Sequence, residues 1–157
     1  MNGHKPVSLV IGGNSRQESV LNAITISESD IVVIQDGARP MIKHSYIENS
    51  LLELNKYSGT SIAVKSKDTI KITDNNGIVI ESTSRDNTWV IQTPQCFDKK
   101  ILLDAHMNQL NSPNTTDDCM LLENAGYKIK LISGDYTNIK ITTEEDLNII
   151  KELLKNG

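Results

Sequence analysis

The apolar positions of this chain fall into short runs separated by glycine, proline and polar turns. The sharpest change comes at residues 31–40, IVVIQDGARP, where four apolar residues of five give way to Asp36, Gly37, Arg39 and Pro40. Such a run predicts a strand buried on both faces, as in a parallel sheet. Residues 7–11 predict another short buried strand, running into Gly12 and Gly13. Residues 16–24 place Val20, Leu21 and Ile24 on one helical face. Ser45 is positioned to cap a helix whose apolar residues Ile47, Leu51 and Leu54 continue to about Tyr57. Gly59 stops that helix, and residues 60–64 form a further buried strand. Strand, helix, strand, helix, strand is the order of a parallel sheet with crossover helices.

The rhythm then breaks. TIKIT at 69–73 alternates, DNNG at 74–77 turns, and IVIES at 78–82 alternates again. This predicts a β-hairpin, and with no helix after it the hairpin reads as an arm leaving the main sheet. A two-stranded arm is marginal alone, so it packs either on its own domain or on a second subunit. Residues 88–93 return as a strand that stops at Pro94, and residues 99–110 are helical with Ile101, Leu102 and Ala105 inward. Thr116, Asp117 and Asp118 open the next helix, with acids where the helix dipole favours them, and Gly126 closes it. Strands at 128–133 and 138–141 follow. Thr142 with Glu145 predicts a capping box for a last helix, with Leu147, Ile150 and Leu154 on its face. The pattern amounts to a three-layer α/β sandwich with one protruding hairpin, in a single domain.

Composition narrows the partners. At 157 residues with a net charge of -4, the chain offers no general electrostatic case for nucleic acid. No apolar run approaches a membrane span and the start lacks a signal-peptide core, so the cytosol is the expected location. Cys96 and Cys119 lack metal-ligand spacing and are expected to be reduced, structural thiols. His4, His44 and His106 are scattered, with His44 and His106 expected on helix surfaces, and no nucleophile stands beside any of them. The residues that gather at strand ends are cations (Arg39, Lys71, Arg85, Lys140) and hydroxyls (Thr69, Thr93, Thr116, Thr142), with Asp36 the acid best placed for a metal. In open α/β sheets ligands bind at the carboxyl ends of strands. Forked guanidinium, point-charge ammonium and short hydroxyl donors suit phosphate recognition rather than triad hydrolysis.

GGNSRQESV at 12–20, DGARP at 36–40, DTIK at 68–71, QTPQ at 92–95, TDD at 116–118 and NIKITTEEDL at 138–147 stand in a telling order and spacing. Together they resemble the methylerythritol phosphate cytidylyltransferases, from about Val7 to the C-terminus. The resemblance implies a nucleotide-diphospho-sugar transferase-like, Rossmann-like mixed sheet and a homodimer clasped by hairpin arms. It implies transfer of CMP from CTP to 2-C-methyl-D-erythritol 4-phosphate, with Mg2+ and release of pyrophosphate. On that resemblance Gly12, Gly13, Asn14 and Ser19 would bind CTP, Asp36 would hold Mg2+ and nucleotide, and Arg39 would orient the sugar phosphate. Thr69 and Arg85 would grip the substrate phosphate from the neighbouring subunit's arm. Thr93 and Thr116 would position the polyol and phosphate, and Lys140 would neutralise charge at the α-phosphate. The chain departs from the family at STSR before Arg85, at Asn14 where an acid is common, and at Gln35 where histidine is common. MNGHKP does not supply the family's opening glycine-rich loop, so the resemblance implies an N-terminally truncated domain with negligible activity alone. Ribitol 5-phosphate transfer and a non-catalytic dimerising remnant are the competing expectations.

Overall fold

The computed structural model describes residues 5–109 and 115–155. Helix α1 (Arg16–Ile26) begins where the Ser15 hydroxyl accepts the Glu18 N–H. Next come β1 (Ile31–Ile34), α2 (His44–Glu53), β2 (Gly59–Lys65), the hairpin strands β3 (Lys71–Thr73) and β4 (Val79–Ser82), and β5 (Trp89–Asp98). The chain continues through α3 (Lys99–Asn108), α4 (Asp118–Asn124), β6 (Ile129–Ser133) and α5 (Glu144–Lys155). No described helix is long and apolar enough to cross a membrane.

The main sheet has the order β1-β5-β2-β6, with β2 parallel to β6 and β5 antiparallel to both β1 and β2. Helices α1, α3 and α4 pack one face around Ile24, Val32, Phe97, Leu102, Leu121 and Leu122. Helix α2 covers β2, β5 and β6 on the other, which makes the three layers. The sheet is mixed because the hairpin intervenes between β2 and β5: the chain leaves along β2, turns through the arm and returns beside it. The arm itself forms as expected, with Gly77 at φ 80 in its turn and Asp74 accepting the Asn76 and Ile78 N–H groups.

Several local expectations are corrected. Residues 7–11 join no strand; Val7, Leu9 and Ile11 are 86, 97 and 89% exposed, and an apolar run cannot form a ladder without a strand edge beside it. Strand β1 is buried on one face only: Val32 packs inward, while Ile31 and Val33 stay 44 and 40% exposed. The strand after the arm does not stop at Pro94. It runs to Asp98, and Pro94, cis after Thr93, sits where the β2–β5 register shifts, a place that demands no ladder N–H. Gly59 starts β2 rather than ending α2, and only glycine fits there, since a side chain would lie 2.7 Å from Phe97 and 2.9 Å from Ile129. Lys43, not Ser45, precedes α2, and it makes no side-chain cap. Residues 138–141 are a loop. The last capping box is shifted by one residue: the Thr143 N–H donates to Asp146 at 2.9 Å and the Asp146 N–H to the Thr143 hydroxyl at 3.3 Å.

Candidate active site

Asp36 follows β1, and its backbone N–H donates to Thr93 Oγ1 on β5 at 3.0 Å. A turn closed by the Arg39 N–H on the Asp36 carbonyl, 3.1 Å, brings the Arg39 side chain back over the acid. Arg39 Nε lies 3.3 Å from Asp36 Oδ2, and Lys140 Nζ approaches the same oxygen at 3.3 Å. Lys140 reaches it from the 134–141 loop, which Asn138 anchors. Asn138 is wholly buried; its Nδ2 donates to Gln92 Oε1 at 3.1 Å and to the Thr93 carbonyl at 3.0 Å. Its own carbonyl accepts Arg39 Nη1 at 2.7 Å, and the Ile141 N–H donates to the Ala38 carbonyl at 2.9 Å. The two loops therefore hold each other and present two cations to one carboxylate.

The facing wall comes from the start of α4. Asp117 caps the helix through the Met120 N–H at 3.0 Å and accepts Gln95 Nε2 at 2.9 Å. Behind it Asp118, fully buried, accepts Arg16 Nη2 at 2.6 Å and lies 3.2 Å from Nε2 of His106, which is also fully buried. Burial alone would push the Asp118 carboxyl up; hydrogen bonds and charge from His106 and Arg16 outweigh it and hold it below the ordinary carboxylate range. Between the walls lies a pocket of about 300 Å³ that gathers Asp36, Arg39, Thr93, Thr116 and Lys140 with Arg16. A wider groove of about 630 Å³ runs along α1 and β1, and Arg16 and Asp36 line both.

The other expected site residues are placed as follows. Gly12, Gly13, Asn14 and Ser19 cluster at the start of α1. The Gly13 N–H donates to Ser19 Oγ at 3.0 Å, and a Gly13 side chain would lie 2.2 Å from Glu18 Cβ. Of these four only Ser19 lines the groove. Thr69 and Arg85 stand at the base of the arm, outside the pocket lining, and pair with each other at 3.1 Å. Cys96 and Cys119 are buried free thiols, and burial pushes both up, in keeping with structural roles. His106 corrects the expectation of a surface residue. His4 lies outside the described residues. Sequence reasoning missed Arg16, Asn138 and the Asp118–His106 pair as parts of the site. Arg16, Asn138 and Asp118 lie within motifs quoted above, whereas nothing local to His106 marks it as buried.

The arrangement supplies cations and hydroxyls at the strand ends of a mixed sheet, with one carboxylate at their centre. That combination of fold and site defines the class of α/β nucleotidyltransferases. The family model described as IspD, 2-C-methyl-D-erythritol 4-phosphate cytidylyltransferase, matches residues 1–156, and the chain belongs to that family. A relative of that name from Fusobacterium nucleatum is 52% identical over 146 residues, covering 91% of this chain and 63% of its own length. Another from Clostridium tetani is 44% identical over 156 residues, covering 98% of this chain and 63% of its own. The chain thus spans less than two thirds of the length of these curated relatives. Among solved structures, the 4-diphosphocytidyl-2C-methyl-D-erythritol synthase of Anaerococcus prevotii superposes with a TM-score of 0.90 at 33% identity, over 98% of this chain and 73% of that one.

Proposed function

We propose that this chain serves the transfer of CMP from CTP to 2-C-methyl-D-erythritol 4-phosphate. The observation that carries the reading is the single pocket holding Asp36, Arg39, Thr93, Thr116 and Lys140, opening at Arg16 and Asp36 into a groove that reaches Ser19. In this reading the nucleotide lies along the groove and the sugar phosphate in the pocket. An oxygen of the acceptor phosphate attacks the α-phosphorus of CTP, and the bond to pyrophosphate breaks. Arg39 fixes the acceptor phosphate by its fork, Thr93 and Thr116 orient it, and Lys140 offsets charge at the α-phosphate. No covalent enzyme intermediate is needed; the work is positioning and electrostatic.

The Asp36 environment fits Mg2+. Its Oδ1 has no partner among the described residues, and magnesium is often held by one or two carboxylates with substrate phosphates completing its shell. Bound there, the ion would supply charge neutralisation between two phosphate-bearing reactants. We extend the proposal to a homodimer joined through the arm. All residues of β3 and β4 are exposed, including Ile72, Val79 and Ile80, and an isolated hairpin is marginal without a surface to cover it. Thr69 and Arg85 would then act in the neighbouring subunit's site. A cytosolic location accords with two free thiols.

The test is pyrophosphate release from CTP with either methylerythritol phosphate or ribitol 5-phosphate. The 157-residue chain is assayed beside the same chain fused behind the opening segment of a relative. The fusion is expected to turn over methylerythritol phosphate and to leave ribitol 5-phosphate unused. A fusion that uses only ribitol 5-phosphate, or neither acceptor, would overturn the proposal.

A further inference from the structure

Arg16 has a more elaborate support than its position requires. It is the first residue of α1, and its side chain is 43% exposed. It spends one nitrogen, Nη2, on Asp118. Among the described residues its Nε and Nη1 have no partner. Asp118 is buried completely, and its second oxygen faces the equally buried His106. His106 Nδ1 has no partner among the described residues. Buried carboxylates are expensive, and one of their best-attested uses is to fix a geometry. What this one fixes is a guanidinium placed where the pocket and the groove meet, across from Asp36. A planar fork with one edge tied down and the other edge free presents its donors in a set direction, which suits a phosphate oxygen.

We infer that Arg16 contacts the phosphate chain of the ligand at the junction of groove and pocket, and that Asp118, backed by His106, is the positioning residue that aims it. The inference rests on the transferase reading, because that reading supplies a ligand whose phosphates cross from one cavity to the other. It adds a third cation to Arg39 and Lys140. It also gives the buried histidine a role in the site: His106 acts on Asp118, Asp118 on Arg16, and only Arg16 touches the ligand.

The probe is inorganic pyrophosphate, titrated into the full chain labelled with 15N-arginine. The Arg16 Nε–H signal is assigned by its absence in Arg16→Lys. Pyrophosphate is expected to shift that signal. Arg16→Gln should weaken the pyrophosphate Kd about ten- to a hundredfold, the scale of a charged hydrogen bond. Asp118→Asn should broaden the Arg16 signal and weaken binding by a smaller factor, a change that a purely structural role would not produce at the guanidinium. If Asp118→Asn does not fold, Arg16→Gln still decides, because that side chain is at the surface. Pyrophosphate that shifts the Arg39 signal and not that of Arg16, with Arg16→Gln binding as wild type, overturns the inference and leaves the transferase reading standing. An Arg16 signal unchanged in folded Asp118→Asn overturns the positioning role. A wild-type chain that binds no pyrophosphate overturns the inference, while the transferase reading stands or falls on the acceptor assay above.

Discussion

Replacing Asn138 with alanine should loosen the site and the sheet together. The Asn138 amide donates two buried hydrogen bonds, to Gln92 Oε1 and to the Thr93 carbonyl, and its own Oδ1 has no partner to lose. Each bond contributes about 1 kcal/mol net, and both acceptors would be left buried without donors. Adding a modest term for the vacated volume gives a loss of about 2–3 kcal/mol. For a chain of this size that is a fall in Tm of about 4–12 °C. Asn138→Asp is the sharper variant, since it keeps the shape and sets an acid against the same two acceptors. The acid can donate only when protonated, so its folded-state pKa is raised above the unfolded value. The variant should therefore lie nearest wild type below the ordinary carboxylate value of about 4 and fall further behind as pH rises. Circular dichroism melts of wild type and both variants between about pH 4 and about pH 8 provide the measurement. An alanine variant melting within about 1 °C of wild type, or an aspartate variant that gains on wild type as pH rises, would refute the argument that this amide anchors the loop.

Asp36→Ala should abolish Mg2+-dependent CTP binding measured by calorimetry in any form of the protein that binds it, while far-UV dichroism stays unchanged, since Asp36 holds two side chains but fills no core. Deleting residues 68–84 should convert a sedimenting dimer to a monomer; a wild-type chain that is already monomeric at high concentration would remove the arm from any interface. Asp146, drawn down to about 2 by hydrogen bonds from Thr142 and Thr143, stabilises the start of α5 above the ordinary carboxylate range. That support is lost as pH falls toward about 2, so amide exchange in the first turn of α5 should accelerate there in wild type but not in Asp146→Ala.

Patterns complete within a few residues were legible in the sequence. The GTSIAVK run of β2, the DNNG turn of the arm and the strand-to-turn change at Asp36 each carry their own signal. Patterns that depend on a distant neighbour were not. Residues 7–11 and the IVVI of β1 have the composition of buried strands, but burial needs a covering element, and Ile31 and Val33 stay exposed. The reversed direction of β5 follows from the arm's return, which periodicity does not encode. Residues 138–141 are apolar enough for a strand, yet the Asn138 amide turns inward and the Ile141 N–H is taken by Ala38, so the backbone is spent on a loop. The core of the candidate site was visible as residue types at strand ends. Its supporting acids were visible only as helix caps, and His106 was read as a surface residue because burial of a polar group depends on a partner twelve residues away.

Strand β5 belongs to two ladders and also forms the floor of the pocket through Gln92, Thr93 and Gln95. Core strands tend to open only with the whole domain, so occupancy of the pocket should be felt there and not only in a loop that frays independently. A ligand present at a hundred times its Kd adds about 2.7 kcal/mol to a cooperative unfolding transition. Because that increment reaches β5 directly, amides on β5 and its partners β1 and β2 should all gain protection at once when the pocket fills. Candidate sugar phosphates and nucleotides can accordingly be ranked by thermal shift or hydrogen exchange, with no turnover needed to see them.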